Sequence, residues 1–119
     1  MSIPFTTKVA TTLRTEGRKT ICQYYKTDVI AFEQVETSSD YPIYEVTLNT
    51  GGHFTKTTKK RINEVANSFA LGFTVTQHEG MWVVANTREQ WHGRTITSFG
   101  PEGSGASQES DSVTFRIMG

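Results

Sequence analysis

YEVTLNTGGHFTKTTKKRINEVANSFALG, residues 44–72, carries the clearest structural signal in the sequence. It opens as a half-buried strand, because apolar side chains occupy every second position from Tyr44 to Leu48. The strand stops at Gly51 and Gly52, since glycine adopts backbone angles that other residues avoid. A threonine-rich loop follows, and then an amphipathic helix.

The helix is predicted from five apolar residues at the i, i+3, i+4, i+7, i+8 spacing of one buried face. These residues are Ile62, Val65, Ala66, Phe69 and Ala70. We expect Thr57 or Thr58 as the N-cap, because either hydroxyl can accept a hydrogen bond from an unpaired backbone N–H. Gly72 suits the left-handed position that follows a helix C-terminus.

Alternating sequence on both sides of the helix predicts β-strands. The runs are 18–25, 28–35 and 43–50 before the helix, and 73–77, 81–85, 91–99 and 112–117 after it. His78, Glu79 and Gly80 mark a hairpin turn between two of them. We therefore expect an α+β fold, in which an antiparallel sheet of about five to seven strands packs on one helix in the order β-β-β-α-β-β-β. The uncovered face of that sheet would be solvated, bind a ligand, or contact a second copy.

The chain length fits one domain spanning residues 1–119. Residues 1–16 are rich in threonine and are expected to form a mobile N-terminal arm or an edge strand. Residues 100–111, GPEGSGASQESD, have almost nothing to bury and are expected to form a mobile loop.

Composition excludes several classes of protein. Twelve basic residues balance twelve acidic ones, which argues against coating nucleic acid by bulk charge but leaves a local basic patch open. No apolar run approaches the roughly 18–20 residues that span a bilayer, and the N-terminus lacks the apolar core of a signal peptide. We expect a cytoplasmic protein without a membrane partner.

Catalytic and metal-binding patterns are missing from the sequence. The single cysteine, Cys22, excludes an internal disulfide and multi-cysteine zinc motifs, and a buried inert thiol is expected there. His53, His78 and His92 lack the spacing of a metal site. No Gly-x-Ser-x-Gly motif or paired carboxylates occur. The sequence therefore predicts no enzyme, no catalytic residue, no metal and no cofactor.

The candidate binding site is the glycine loop and the basic residues at the predicted helix start. Its members are Gly51, Gly52, Thr55, Thr57, Thr58, Lys59, Lys60 and Arg61. Cations at a helix N-terminus oppose the helix dipole by roughly 0.3–1 kcal/mol each, and a bound phosphate would offset that cost. The alternative is a solvated basic turn that binds no ligand, in which glycine is needed only for the backbone angles of the loop. The Walker A spacing is absent.

Two resemblances bear on function. LNTGGHFTKTTKKRIN (48–63), followed by the aromatic hairpin FTVTQHEGMWVV (73–84), resembles a signature of small bacteriophage proteins over about a third of the chain. It implies a phage origin and expression in a bacterial cytoplasm, and brings no catalytic residue with it. The Lys59-Lys60 pair after a glycine loop also resembles the C-terminal part of a double-stranded RNA-binding domain, although no first helix precedes the sheet.

Three functions remain open at this point. The first is a non-enzymatic phage accessory protein that binds an unknown protein or nucleic acid. The second is binding of a nucleic-acid phosphate backbone through residues 51–61. The third is a structural or self-assembling protein, with a homodimer formed through the uncovered sheet face.

Overall fold

The computed structural model describes residues 11–38, 41–88 and 93–118. Within these residues, nine strands and one helix follow one another along the chain. They are β1 (Thr11–Glu16), β2 (Lys19–Tyr24), β3 (Thr27–Ser38), β4 (Tyr41–Asn49), α1 (Lys56–Ser68), β5 (Phe73–His78), β6 (Met81–Asn86), β7 (Thr95–Gly100), β8 (Gln108–Glu109) and β9 (Ser112–Met118). The α+β class with mostly antiparallel strands and a single amphipathic helix is confirmed.

The larger sheet, here called sheet A, contains five antiparallel strands in the order β1-β2-β3-β4-β9. β9 pairs with β4, with Leu48 opposite Val113, so the last strand returns across the molecule to the strand that precedes the helix. Its inward side chains Val113, Phe115 and Ile117 are buried, as the alternation predicts.

The smaller sheet, sheet B, has the order β5-β6-β7-β8. β5 and β6 form the predicted hairpin, and its two turn residues, Glu79 and Gly80, both have positive φ (49° and 86°). Such angles belong to a type I′ turn, whose twist matches that of the flanking strands. β7 pairs with β8 in parallel, Phe99 lying opposite Gln108.

Helix α1 and sheet B together cover the inner face of sheet A. Phe69, at the end of α1, packs 5.0 Å from Phe32, and Phe73 of β5 packs 5.2 Å from Phe115, measured between ring centroids. The helix residues Ile62 and Val65 are fully buried in the same core. The expectation of a single sheet of five to seven strands is therefore corrected to two sheets. Alternation marks a strand and its buried face, but it does not say which sheet the strand joins.

The segment before the helix also holds one strand more than predicted. Residues 11–16, for which the sequence left an arm or an edge strand open, form the edge strand β1 and pair with β2, while residues 1–10 lie outside the described residues. Residues 100–111 include the short strand β8, and the Gly103 amide donates to Glu109 Oε2 at 2.9 Å. The mobility of both segments stays a prediction.

Both ends of the helix differ from the sequence prediction. The N-cap is Thr55, whose Oγ1 accepts from the Thr58 amide at 3.2 Å, so the assignment to Thr57 or Thr58 is wrong. At the other end the left-handed residue that directly follows the C-cap is Ala70 (φ 52°), while Gly72, two residues later, also has a positive φ (87°). The Ala70 amide donates to the Asn67 carbonyl, and the Leu71 amide donates to the Ala66 carbonyl. This pair of hydrogen bonds defines a Schellman motif. Ala70 is consequently exposed, although its spacing predicted a place on the buried face.

The outer face of sheet A is polar. Arg116 lies 3.4 Å from Glu45 and 3.5 Å from Glu36, and the hydroxyls of Thr47 and Thr114 are 3.0 Å apart. This face therefore offers ion pairs and hydroxyls, and a homodimer formed through it stays a prediction.

Candidate functional site

The structure does not bring the eight predicted site residues onto one surface. Four of them are exposed, two are half-buried and two are buried in the core. The exposed residues are Gly51, Gly52, Thr55 and Lys60, the half-buried ones Thr57 and Lys59, and the buried ones Thr58 and Arg61. Since α1 begins at Lys56, the basic residues from Lys59 onward follow the first turn instead of opening the helix.

Arg61 faces into the protein. Its Nε donates to Thr11 Oγ1 at 3.2 Å, and its Nη1 donates to Glu64 Oε1 at 3.0 Å. The guanidinium lies 5.7 Å from the centroid of the Tyr24 ring, a cation–π distance. Only 8% of Arg61 is exposed, so its charge is satisfied inside the fold and is not presented to a ligand.

The glycine loop already has internal acceptors for its amides. Gly51 N–H donates to Asn49 Oδ1 at 2.9 Å, and Gly52 N–H donates to Thr50 Oγ1 at 3.2 Å. Gly51 has φ +62°, and a Cβ there would lie 2.6 Å from Thr27 Oγ1. Glycine is therefore required at position 51 both by the positive φ and by the close approach of Thr27. This favours the alternative in which the glycines shape the loop and do not bind a ligand.

Thr55 and Thr58 serve the helix cap. Their hydroxyl oxygens are 3.0 Å apart, and the Thr55 oxygen also accepts the Thr58 amide. Because Thr58 is 2% exposed, its hydroxyl is committed to the cap.

Three lysines form the exposed basic surface of the helix, which we call the lysine face: Lys56, Lys59 and Lys60. They occupy i, i+3 and i+4 and border a shallow depression of about 440 Å³ together with Asn63, Asn67 and Glu64. The Glu64 carboxylate is paired with Arg61 at 3.0 Å. Within the described residues, none of the three lysines has a carboxylate within ion-pair distance. Lys56 was missed by the sequence prediction, although its spacing from Lys59 and Lys60 becomes visible once Thr55 is taken as the N-cap.

A second feature, which the sequence did not predict, is a cleft between the β2–β3 turn and the loop that leads into α1. We call it the tyrosine cleft, and its volume is about 490 Å³. It is lined by Tyr24, Tyr25, Lys26, Thr27, Val29, Thr50, His53, Thr55 and Thr58. The lining thus contains one lysine, one histidine and no carboxylate.

Tyr25 is the most exposed large apolar side chain of the described residues, at 62%. It has φ 56° at the first position of the two-residue turn between β2 and β3. A side chain with a Cβ costs roughly 1–2 kcal/mol in this left-handed region, which is why glycine is favoured there. The turn residue was missed because sequence alternation placed Tyr25 inside the strand.

The surrounding structure holds Tyr25 in place. Gln23 Nε2 donates to the Tyr25 carbonyl at 2.7 Å, while Gln23 Oε1 accepts from Arg14 Nη1 at 2.8 Å. Arg14 also donates to Asp28 at 2.9 Å and to Glu16 at 2.8 Å. Hydrogen bonds to these two carboxylates, that of Asp28 most, raise the pKa of Arg14 above its ordinary value.

The Tyr25 ring is supported from the other side as well. It packs edge-to-face on Tyr24, with centroids 4.7 Å apart, and Tyr24 lies beneath the Arg61 guanidinium. Sheet A and α1 together therefore position an aromatic ring that is left open to solvent.

The remaining titratable groups do not converge on this region. Burial raises the pKa of the Cys22 thiol to about 12, so it stays protonated at neutral pH. Among residues 11–38, 41–88 and 93–118, no three His, Cys, Asp or Glu side chains gather as a metal site would require. His92 lies outside the described residues. The described part of the chain also has no helix long and apolar enough to cross a bilayer.

A family model described as Kyanoviridae Gp96 protein matches residues 6–99 of the sequence. The chain belongs to the Kyanoviridae Gp96 protein family. This is a phage family, which confirms the phage resemblance at that coarse level. The match includes the lysine face and the tyrosine cleft of this Gp96-family protein and ends before β8 and β9. Neither the curated proteins nor the solved structures gave a significant match.

Proposed function

We propose that this Gp96-family protein is a non-enzymatic phage accessory protein that acts by macromolecular binding, and that it binds nucleic acid through phosphate contacts. The observation that carries the proposal is the lysine face, three neighbouring exposed or half-exposed lysines without an acidic partner among the described residues. Membership of a phage family and a sequence without catalytic motifs are consistent with an accessory role.

The distribution of charge supports this choice of surface. The chain has a formal net charge of zero, yet its charges are not evenly paired. Arg14 and Arg116 on sheet A are bonded to carboxylates, and Arg61 is bonded to Glu64. The lysine face is not neutralised in this way, so a local positive potential remains at one end of a neutral protein. Such a patch attracts a polyanion even where the whole chain is not basic.

The test is the salt dependence of binding to labelled oligonucleotides, measured by fluorescence anisotropy. The variant Lys56→Ala/Lys59→Ala/Lys60→Ala removes three contacts, and we expect the slope of log affinity against log salt to become less steep by about 2. The matched control Arg18→Ala/Lys19→Ala/Arg94→Ala removes the same charge from exposed positions elsewhere and should keep the wild-type slope. Equal slopes for the two triple variants would overturn the assignment to the lysine face.

A protein partner is the second candidate, and Tyr25 favours it. Exposed tyrosines that are held rigidly are typical anchors of protein interfaces, because little conformational entropy is lost on binding. This candidate predicts a partner whose binding is weakened by Tyr25→Ala and is insensitive to the lysine-face variant. If the lysine-face variant loses oligonucleotide binding and Tyr25→Ala weakens the binding of no protein, the protein-partner candidate is contradicted.

A further inference from the structure

We infer that the nucleic acid is single-stranded, with one unpaired base stacked on the Tyr25 ring in the tyrosine cleft and the flanking phosphates on the lysine face. The inference rests on the proposed nucleic-acid function and specifies its ligand. It depends on Tyr25, the lining of the cleft and the position of the lysine face relative to both.

The face of an aromatic ring recognises only a base that is out of the double helix. In a duplex each base is stacked on its neighbours, so a protein reaches groove edges and phosphates, whereas an unpaired base exposes its flat face. Tyr25 is 62% exposed and borders the cleft, so its ring is accessible to such a base. Among the described residues the other exposed large apolar side chain is Tyr41, at 49%, which does not line the cleft, while Trp82 is inaccessible at 1%.

The lining of the cleft suits a nucleotide in both size and charge. A volume of about 490 Å³ falls within the usual range for small-ligand sites. Lys26 and His53 are both exposed, and no carboxylate lines the cleft, so a negative phosphate meets no repulsion from the lining. The half-buried Thr27 on the same wall carries a hydroxyl that can donate to and accept from the base or sugar.

The cleft and the lysine face are continuous along the chain. Thr55 lines the cleft, and Lys56 follows it directly as the first residue of α1. From Lys56 to Lys60 the helix rises about 6 Å, so the lysines extend away from the cleft along the helix. An aromatic ring next to a basic track is the arrangement that single-strand binding proteins use.

The strained backbone of Tyr25 supports a role for its side chain. Glycine would relieve the left-handed φ of 56°, yet the turn carries a tyrosine and the structure holds it with the Gln23 bond and the Tyr24 ring. Strain that is maintained by surrounding contacts is a common property of binding sites.

The test compares single strands of about 12 nucleotides, oligo-dT and oligo-U, with a DNA duplex of the same length, by fluorescence anisotropy. We expect Tyr25→Gly and Tyr25→Asn to weaken single-strand binding by about 5- to 150-fold and to leave duplex binding unchanged. Both replacements tolerate positive φ, so the thermal midpoint should not fall, and Tyr25→Phe should retain affinity. Tyr41→Ala, at a tyrosine that is 49% exposed elsewhere, is the control and should change nothing.

The outcomes separate the inference from the function on which it rests. If binding depends on the lysine face but Tyr25→Gly has no effect, or weakens duplex and single strand equally, the stacking inference is overturned and the function stands. If the lysine-face variant also binds like the wild type, the proposed function fails. Tighter binding of oligo-dT or oligo-U than of the duplex, lost in Tyr25→Gly, would support the inference.

Discussion

Asn63 connects the helix to the edge of sheet B, and its replacement by alanine should be strongly destabilising. Its Nδ2 donates to the Val75 carbonyl at 2.9 Å, and its Oδ1 accepts from the Val75 amide at 2.7 Å. β5 is the edge strand of sheet B, so the side chain of Asn63 supplies the bonds that a neighbouring strand would make.

The magnitude follows from these contacts. Two hydrogen bonds contribute about 1 kcal/mol each, and leaving the amide of a buried residue unpaired adds about 1–3 kcal/mol. Asn63→Ala should therefore reduce the free energy of unfolding by about 3–5 kcal/mol, a large part of the roughly 5–15 kcal/mol of a typical domain. Asn63→Asp keeps the acceptor for Val75 N–H but places a carboxylate oxygen opposite the Val75 carbonyl, so it should also destabilise.

The assay is urea denaturation combined with hydrogen exchange of the Val75 amide. The control is Asn67→Ala, one turn along the helix, because the exposed Asn67 side chain makes no hydrogen bond within the described residues. The free energy of unfolding of this variant should stay within about 0.5 kcal/mol of the wild-type value. We expect exchange at Val75 to accelerate in Asn63→Ala only. Unchanged protection at Val75, together with equal stability of the two alanine variants, would refute the reasoning.

Two further predictions concern the helix C-terminus and the single cysteine. Ala70→Gly should stabilise the protein by about 0.5–1 kcal/mol in a thermal melt, because glycine adopts the φ of 52° without the Cβ penalty. The control Ala66→Gly, in the buried helix interior, should destabilise the protein. A lower melting midpoint for Ala70→Gly would contradict the assigned cap. The pKa of Cys22 is about 12 in the folded state against an ordinary 9.0, so the unfolded chain loses the thiol proton first and stability should fall as pH rises from 9 towards 12. At pH 8 the native thiol should resist iodoacetamide and react only after denaturation, and rapid native labelling would show that Cys22 is not buried.

Elements with a local signal were predictable from the sequence. The β5–β6 hairpin depends on a short turn with Glu79 and Gly80 between alternating runs, and the buried face of α1 depends on 3.6-residue periodicity. The helix start was not predictable to the residue, since Thr55, Thr57 and Thr58 are all suitable N-caps. The structure selects Thr55 because its hydroxyl reaches the Thr58 amide.

The candidate site was predicted less well than the fold. Lys59 and Lys60 are on the surface as expected, but Arg61 is turned inward by Thr11, a residue 50 positions earlier in the chain. The exposure of Tyr25 depends on the register of β2 with β3, in which Tyr24 pairs with Thr27 and leaves Tyr25 in the turn. The Arg61–Thr11 contact is not visible from neighbouring residues in the sequence, and the place of the β2–β3 turn depends on the register of the two strands.

The α+β class, the alternating faces of the strands and the existence of the helix can be read from the sequence, because they depend on periodicities over a few residues. The division of the strands into two sheets, the pairing of β9 with β4 and the position of the lysine face next to the tyrosine cleft became known only from the folded structure. The physical reason is that strand pairing and side-chain burial join residues far apart in the chain. Their free energy depends on the whole packed core, and no local pattern encodes it.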